Sequence, residues 1–162
     1  MAQKFGGPRN LAAAVALKAG RNDGPQLCQQ VLIYPVLDPN CDSDSYVKFA
    51  EGFGLTRATM QWFWQQYLGS QQAGSDSLAA LMTASDLSVL PPTHLITAEY
   101  DVLRDEGEQF VQQLLAAGVD VTHRRYAGML HGFVHFSGIF DDGAQAVSDI
   151  AAVFRKGTST KT

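Results

Sequence analysis

The sequence predicts an α/β fold, with three mainly parallel strands, flanking helices and a short helical cap segment. Three observations carry that expectation. Strand-like segments recur at Leu27–Tyr34, with a β-branched, near-continuous apolar run, at His94–Ala98 and at Val119–Tyr126. Helical patterns stand between and around them, at Asn10–Ala19, Leu103–Ala117 and Gly143–Phe154. Clusters of Gly, Pro, Asp and Asn separate the two kinds of segment, and strands alternating with helices pair in parallel through right-handed crossovers.

In chain order, the Ala-rich run Asn10–Ala19 reads as a helix with Asn10 as its N-cap and Gly20 as its stop. Gly24 and Pro25 break the chain before Leu27–Tyr34, whose near-continuous apolar run is that of a strand buried on both faces. Pro35–Tyr46, rich in Pro, Asp, Asn and Ser, reads as a long loop leaving the strand. Thr56 caps a helix to Leu68 on which Met60, Phe63, Trp64 and Tyr67 recur at helical spacing, with Trp62 off that face. Such a stripe either packs into the core or lines a pocket from a cap, and the pattern leaves both open. Gly69–Asp76 is a polar linker and Leu78–Thr83 a short helical piece.

Pro91 and Pro92 precede the second strand, which ends at Glu99, Tyr100 and Asp101. On the helix that follows, Phe110, Val111, Leu114 and Leu115 are expected to face inward and Arg104, Asp105, Glu106 and Gln112 outward. Gly118 closes it with a left-handed cap. The third strand leads to a loop holding Gly128, His131 and Gly132, and residues 156–162 read as a disordered polar tail.

The 162 residues are 46% hydrophobic and 17% charged, the profile of one domain able to bury a core without disulfides or metal. A net charge of −4 leaves no basic footprint for nucleic acid or anionic lipid. No stretch is long and apolar enough to span a bilayer. Cys28 and Cys41 form neither a CxxC pair nor a disulfide framework, which points to free thiols and a cytoplasmic protein. No cofactor motif is present. His131 and His135 are four residues apart, but without an acidic HExxH-type partner the spacing does not make a metal site.

Ligands of open parallel sheets bind outside the C-terminal ends of the strands. Asp101 follows the second strand there and His131 lies in the loop after the third, so adjacent strands set the two side by side. An aspartate that accepts a hydrogen bond from one imidazole nitrogen leaves the other free as a general base. Asp101 also heads a helix and would serve equally as its cap, and His131 would serve as a core histidine.

The segments GLTRATMQWFW, DLSVLPPTHLITAEYDVLRDEGEQFVQQLLAAGVDV and RYAGMLHGF together resemble the hormone-sensitive-lipase-like carboxylesterases of the α/β-hydrolase fold. NLAAAVALKA and QVLIYPVLD resemble the helix after that family's nucleophile elbow and the strand beyond it. The resemblance runs from about Asn10 to Phe154. It implies that Asp101 is the acid and His131 the base of a catalytic triad, and that Tyr46 to about Leu68, within a cap-like segment of about residues 40–75, contributes to a cap over the acyl pocket. A separate expectation is a pocket under the Trp62 and Trp64 cap that only binds small acyl or aromatic ester ligands. Where the family has GDSAGG, this chain reads KFGGPRN, with Gly6 at the nucleophile's register and no Ser, Cys or Thr between Met1 and Leu27. Ser43, Ser45, Ser85 and Ser137 stand outside any G-x-S-x-G elbow. The expectation is a single truncated α/β-hydrolase domain, a partial fold equivalent to the C-terminal half of an esterase and weak or inactive alone. A sheet cut in its middle leaves Leu27–Tyr34 with an unpaired apolar edge, from which a homo-oligomer through that edge or an apolar face is expected, or complementation by a separately encoded half.

Overall fold

The computed structural model describes residues 7–69 and 78–159. Helix α1 (Gly7–Arg21) leads to strand β1 (Gln30–Ile33), then to helices α2 (Asp44–Lys48) and α3 (Arg57–Leu68). Strand β2 (Thr93–Tyr100), helix α4 (Arg104–Ala116), strand β3 (Val121–Leu130) and helix α5 (Asp141–Ser159) complete the order. The sheet has the order β1-β2-β3 and both pairings are parallel, Leu32 opposite Leu95 and Leu95 opposite His123. Gly6 and most of the Gly69–Asp76 linker, at residues 70–76, lie outside the described residues, as do residues 160–162 of the tail. No helix among the described residues is long and apolar enough to cross a membrane.

Side chains alternate across a strand, and β2 uses both of its faces. Leu95 packs with Leu32 of β1, Ala13 and Leu17 of α1 and Phe110 and Leu114 of α4. Ile96 and Ala98 face the other way, joining Tyr34, Tyr126, Phe133 and Ala146 of α5. A third apolar cluster joins the α2–α3 segment to the start of α4: Tyr46, Phe49, Met60 and Trp64 pack with Val102 and Leu103. The Met60 and Trp64 positions of the aromatic stripe thus face a core, while Tyr67 is 48% and Trp62 54% exposed. Thr56 caps α3 as expected, its hydroxyl accepting from the Thr59 amide at 3.1 Å.

Several expectations are corrected by tertiary packing. Asn10 is not a cap but lies inside α1, buried, with its amide donating to the carbonyls of Val36 and Ala79 at 3.0 and 2.8 Å. Strand β1 begins at Gln30 rather than Leu27, and it alternates buried and half-buried residues instead of being buried on both faces. The loop after it ends at Ser43, where α2 starts. Only Leu81–Thr83 of the 78–83 piece is helical, as a 3-10 turn. Glu106 and Leu115 exchange places: Glu106 is buried and Leu115 exposed. Glu106 lies four residues before Phe110 and eight before Leu114, so it shares their face of the helix despite its charge. Strand β3 continues past Tyr126 to Leu130 through an irregularity in which Ala98 pairs Tyr126 and Tyr100 pairs Leu130, with Gly128 at φ 73° supplying the left-handed residue the bulge needs. Helix α5 extends from Asp141 to Ser159, so most of the expected tail is helical.

Candidate active site

Strand β2 delivers Asp101 at its C-terminal end and β3 delivers His131 at its own, one strand away. The two meet: His131 Nδ1 lies 2.7 Å from Asp101 Oδ2. The Asp101 side chain is wholly buried, whereas 17% of the His131 side chain reaches solvent. The other carboxylate oxygen, Oδ1, accepts from the Leu103 amide at 3.0 Å, which fixes the carboxylate plane. Asp101 is not the cap of α4, whose N-cap is Leu103; one carboxylate oxygen holds the turn before the helix and the other holds the imidazole. An ionised carboxylate only accepts, so the proton between the pair sits on Nδ1 and the lone pair of the neutral ring is on Nε2.

The backbone beyond His131 turns sharply, with Gly132 at φ 87°, a conformation that a side chain would strain. Phe133 follows, buried, in a 3-10 turn of residues Phe133–Phe136. Its ring lies 6.0 Å from that of Tyr34, and Tyr34 in turn packs on the His131 imidazole with centroids 4.4 Å apart and planes tilted by 55°. Tyr34 is fully buried and adopts φ 39°, while its amide donates to the Ile96 carbonyl at 2.6 Å. A non-glycine residue with positive φ is held by its surroundings at an energetic cost, and such residues gather at functional sites. Sequence reasoning missed Tyr34 as part of this site; its place at the end of the first strand, level with the ends of the other two, was the available signal. One residue before Asp101, Tyr100 stacks on Phe53 at 5.6 Å and meets Phe49 edge-on at 5.7 Å, joining the α2–α3 segment to the strand end.

His135, the other histidine of the four-residue spacing, is exposed in the 3-10 turn. Among the described residues no three His, Cys, Asp or Glu side chains cluster to hold a metal. Cys28 is exposed and Cys41 buried, both free thiols, and burial pushes the Cys41 thiol up to about 11. A buried thiol of that kind is protonated and inert at neutral pH. Of the other serines, Ser45 is completely buried and engaged with the backbone of the Asp101 turn.

A family model of the α/β-hydrolase fold matches residues 5–135. A carboxylic ester hydrolase of Mycobacterium tuberculosis is 32% identical over 90% of the chain, which covers 40% of that protein. A hyperthermophilic esterase from Pyrobaculum calidifontis superposes with a TM-score of 0.83 at 41% identity, over 88% of this chain and 48% of that one. A fungal esterase from Rhizomucor miehei gives a TM-score of 0.85 at 41% identity, over 91% and 46%. The chain thus spans less than half the length of these relatives. Matching family sequence, three parallel strands in the order described and esterase structures superposing on nearly the whole chain lead to one conclusion: the chain belongs to the α/β-hydrolase fold family.

Proposed function

We propose that the chain carries the acid and the general base of a carboxylic ester hydrolase site, with Asp101 and His131 in those roles and small acyl or aromatic esters as substrates. The observation that supports it most directly is the 2.7 Å bond from His131 Nδ1 to a wholly buried Asp101 carboxylate. In this reading Nε2 takes the proton of a hydroxyl as that oxygen adds to the ester carbonyl, and returns it to the departing alcohol. Asp101 keeps the ring in the required tautomer and stabilises the imidazolium in between.

These 162 residues hold no serine in a G-x-S-x-G elbow. Loss of the nucleophile costs such a site about a million-fold in turnover, and a lone general base recovers about a hundred- to ten-thousand-fold over the uncatalysed reaction. The purified chain is therefore expected to hydrolyse short-chain aryl esters only feebly, with His131→Ala removing what activity there is. Equal rates for wild type and variant would sink the base assignment. Turnover at the level of a complete esterase, abolished in His131→Ala, would show that a nucleophile is at work and overturn the weak-alone reading.

A second reading is favoured by the apolar side of the sheet. Strand β1 pairs with β2 alone among the described strands, and the outer face of α1 exposes Leu11 (45%) and Val15 (60%) one turn apart. An apolar edge beside an apolar helix face is a surface for association, with a second copy of the chain or with a polypeptide that brings the missing nucleophile. Light scattering over a concentration series tests it, and a monomer that persists at high concentration argues against self-association.

A further inference from the structure

Helix α2 is only five residues long, too short to persist without tertiary support. Its support comes from the turn that carries Asp101. The Ser45 amide donates to Asp105 Oδ2 at 2.7 Å. The Ser45 hydroxyl donates to the Val102 carbonyl at 2.7 Å, and its oxygen lies 3.2 Å from the donating Asp105 amide. Ser45 is completely buried and its bond to the Val102 carbonyl is enclosed, while the Asp105 side chain is 27% exposed. Asp105 is held from its other side, where Oδ1 accepts from Arg104 Nε at 2.8 Å, and the Arg104 guanidinium lies 5.1 Å from the centre of the Phe49 ring just beyond α2.

The clamp is thus reciprocal, side chain to backbone in both directions, and it closes on the residues either side of Leu103. The Val102 carbonyl shares a peptide unit with the Leu103 amide, which donates to Asp101 Oδ1, and the Arg104 amide beside it donates to the main-chain carbonyl of Asp101 at 3.2 Å. We infer that Ser45 and Asp105 are positioning residues, through which the α2 segment fixes the orientation of the Asp101 carboxylate toward His131. This rests on the proposed roles of Asp101 and His131 but not on the rate of any reaction. Its consequence is that the segment packed over the strand ends and the acid of the site move as one unit. Any displacement of α2 is felt at the His131 Nδ1–H bond.

The test uses the intact chain and proton NMR. A 2.7 Å bond to a buried carboxylate shifts the imidazole Nδ1–H resonance far downfield, and its loss in His131→Ala identifies it. Ser45→Ala is expected to move that resonance upfield and to speed its exchange with water about tenfold, the equivalent of one hydrogen bond lost around a charged group. The amides of Leu103 and Asp105 exchange faster in step, while amides in the centre of β2 keep their wild-type rates. Ser45→Thr, which keeps the hydroxyl, restores the resonance. If Ser45→Ala does not fold, Asp105→Asn answers instead, since the amide oxygen still accepts from Ser45 but has lost the charge; a smaller shift in the same direction is expected. Unchanged resonance and unchanged Leu103 exchange in a folded variant overturn the proposal. So does uniform acceleration of all amides, which a purely stabilising clamp would give. Should the wild type show no downfield resonance, the acid–base reading fails on its own account and the exchange of Leu103 still decides for or against the clamp.

Discussion

The two outer strands of the sheet are built differently. Strand β3 exposes four residues in succession, Thr122, His123, Arg124 and Arg125, and its arginines reach to opposite faces: Arg124 Nη1 to Asp149 Oδ2 of α5 at 2.6 Å, Arg125 Nε to Glu108 Oε1 of α4 at 2.6 Å. Charge on both faces of an outer strand blocks further pairing. Strand β1 carries Gln30, Val31, Leu32 and Ile33, has no charge, and stands beside a helix with Leu11 and Val15 exposed. One edge has the composition of a strand that ends a sheet, the other that of a strand with neighbours on both sides. The difference teaches that the two outer strands are distinguished by charge, with exposed arginines on β3 and none on β1, whose neighbouring helix exposes Leu11 and Val15.

The largest effect is expected where β1 meets the core. Leu32 is 1% exposed and packs with Leu95, Leu17 and Phe110. Leu32→Ala should cost about 2–5 kcal/mol in urea unfolding, from lost transfer energy and the cavity left behind. A cost under about 1 kcal/mol would mean that β1 lies on the core without being part of it, and the contrast between the two edges would collapse.

Next in size is the tie between the two sides of the molecule. Glu106 of α4, on the crossover between β2 and β3, accepts from the Leu37 amide at 2.9 Å in the segment leaving β1. Burial holds its carboxyl well above the ordinary value of 4.5, against the lowering effect of the Leu37 hydrogen bond. A folded-state pKa above the unfolded one means that the folded protein holds the proton more tightly. The stability from this group is full below about 4.5 and is lost as the pH rises through the folded value. Glu106→Gln keeps an acceptor for Leu37 and cannot ionise, so its stability relative to wild type should grow from acid toward neutral pH, reaching roughly 1–3 kcal/mol. His94 works in the opposite sense. Burial lowers its pKa below 6.5, so stability falls as the pH drops from that value in wild type and variant alike. Thermal midpoints of both proteins from pH 4 to pH 8 separate the two slopes, and a difference that stays flat with pH would refute the buried-acid account.

How much of this was legible in the sequence depended on whether a residue's role was local. The parallel sheet, the Thr56 cap and the meeting of Asp101 with His131 followed from residues at strand and helix ends, where chain order sets position. Asn10, Ser45, Tyr34 and Glu106 did not, because each is defined by a partner 26 to 97 positions away: Asn10 bonds Val36 and Ala79, Ser45 bonds Val102, Tyr34 packs on His131, and Glu106 bonds Leu37. For Glu106 and Asn10, residue type argued against the burial that spacing allowed. The reach of β3 to Leu130 was hidden by Gly128, which reads as a loop residue but sits in a bulge.

The smallest effects on stability are expected at the two edges themselves, and there the comparison is sharpest. Val15→Lys replaces an exposed valine on α1 and should change unfolding free energy by less than about 0.5 kcal/mol. Arg125→Ala removes an exposed ion pair with Glu108 and should cost about 0–1 kcal/mol, less at high salt. Association should separate them although stability does not. If the apolar side binds a second copy, Val15→Lys lowers the apparent mass by light scattering at a given concentration, while Arg125→Ala leaves it unchanged or raises it by uncovering the β3 edge. The opposite pattern would assign the interface to β3, since a lysine on α1 has no route to the far side of a three-stranded sheet.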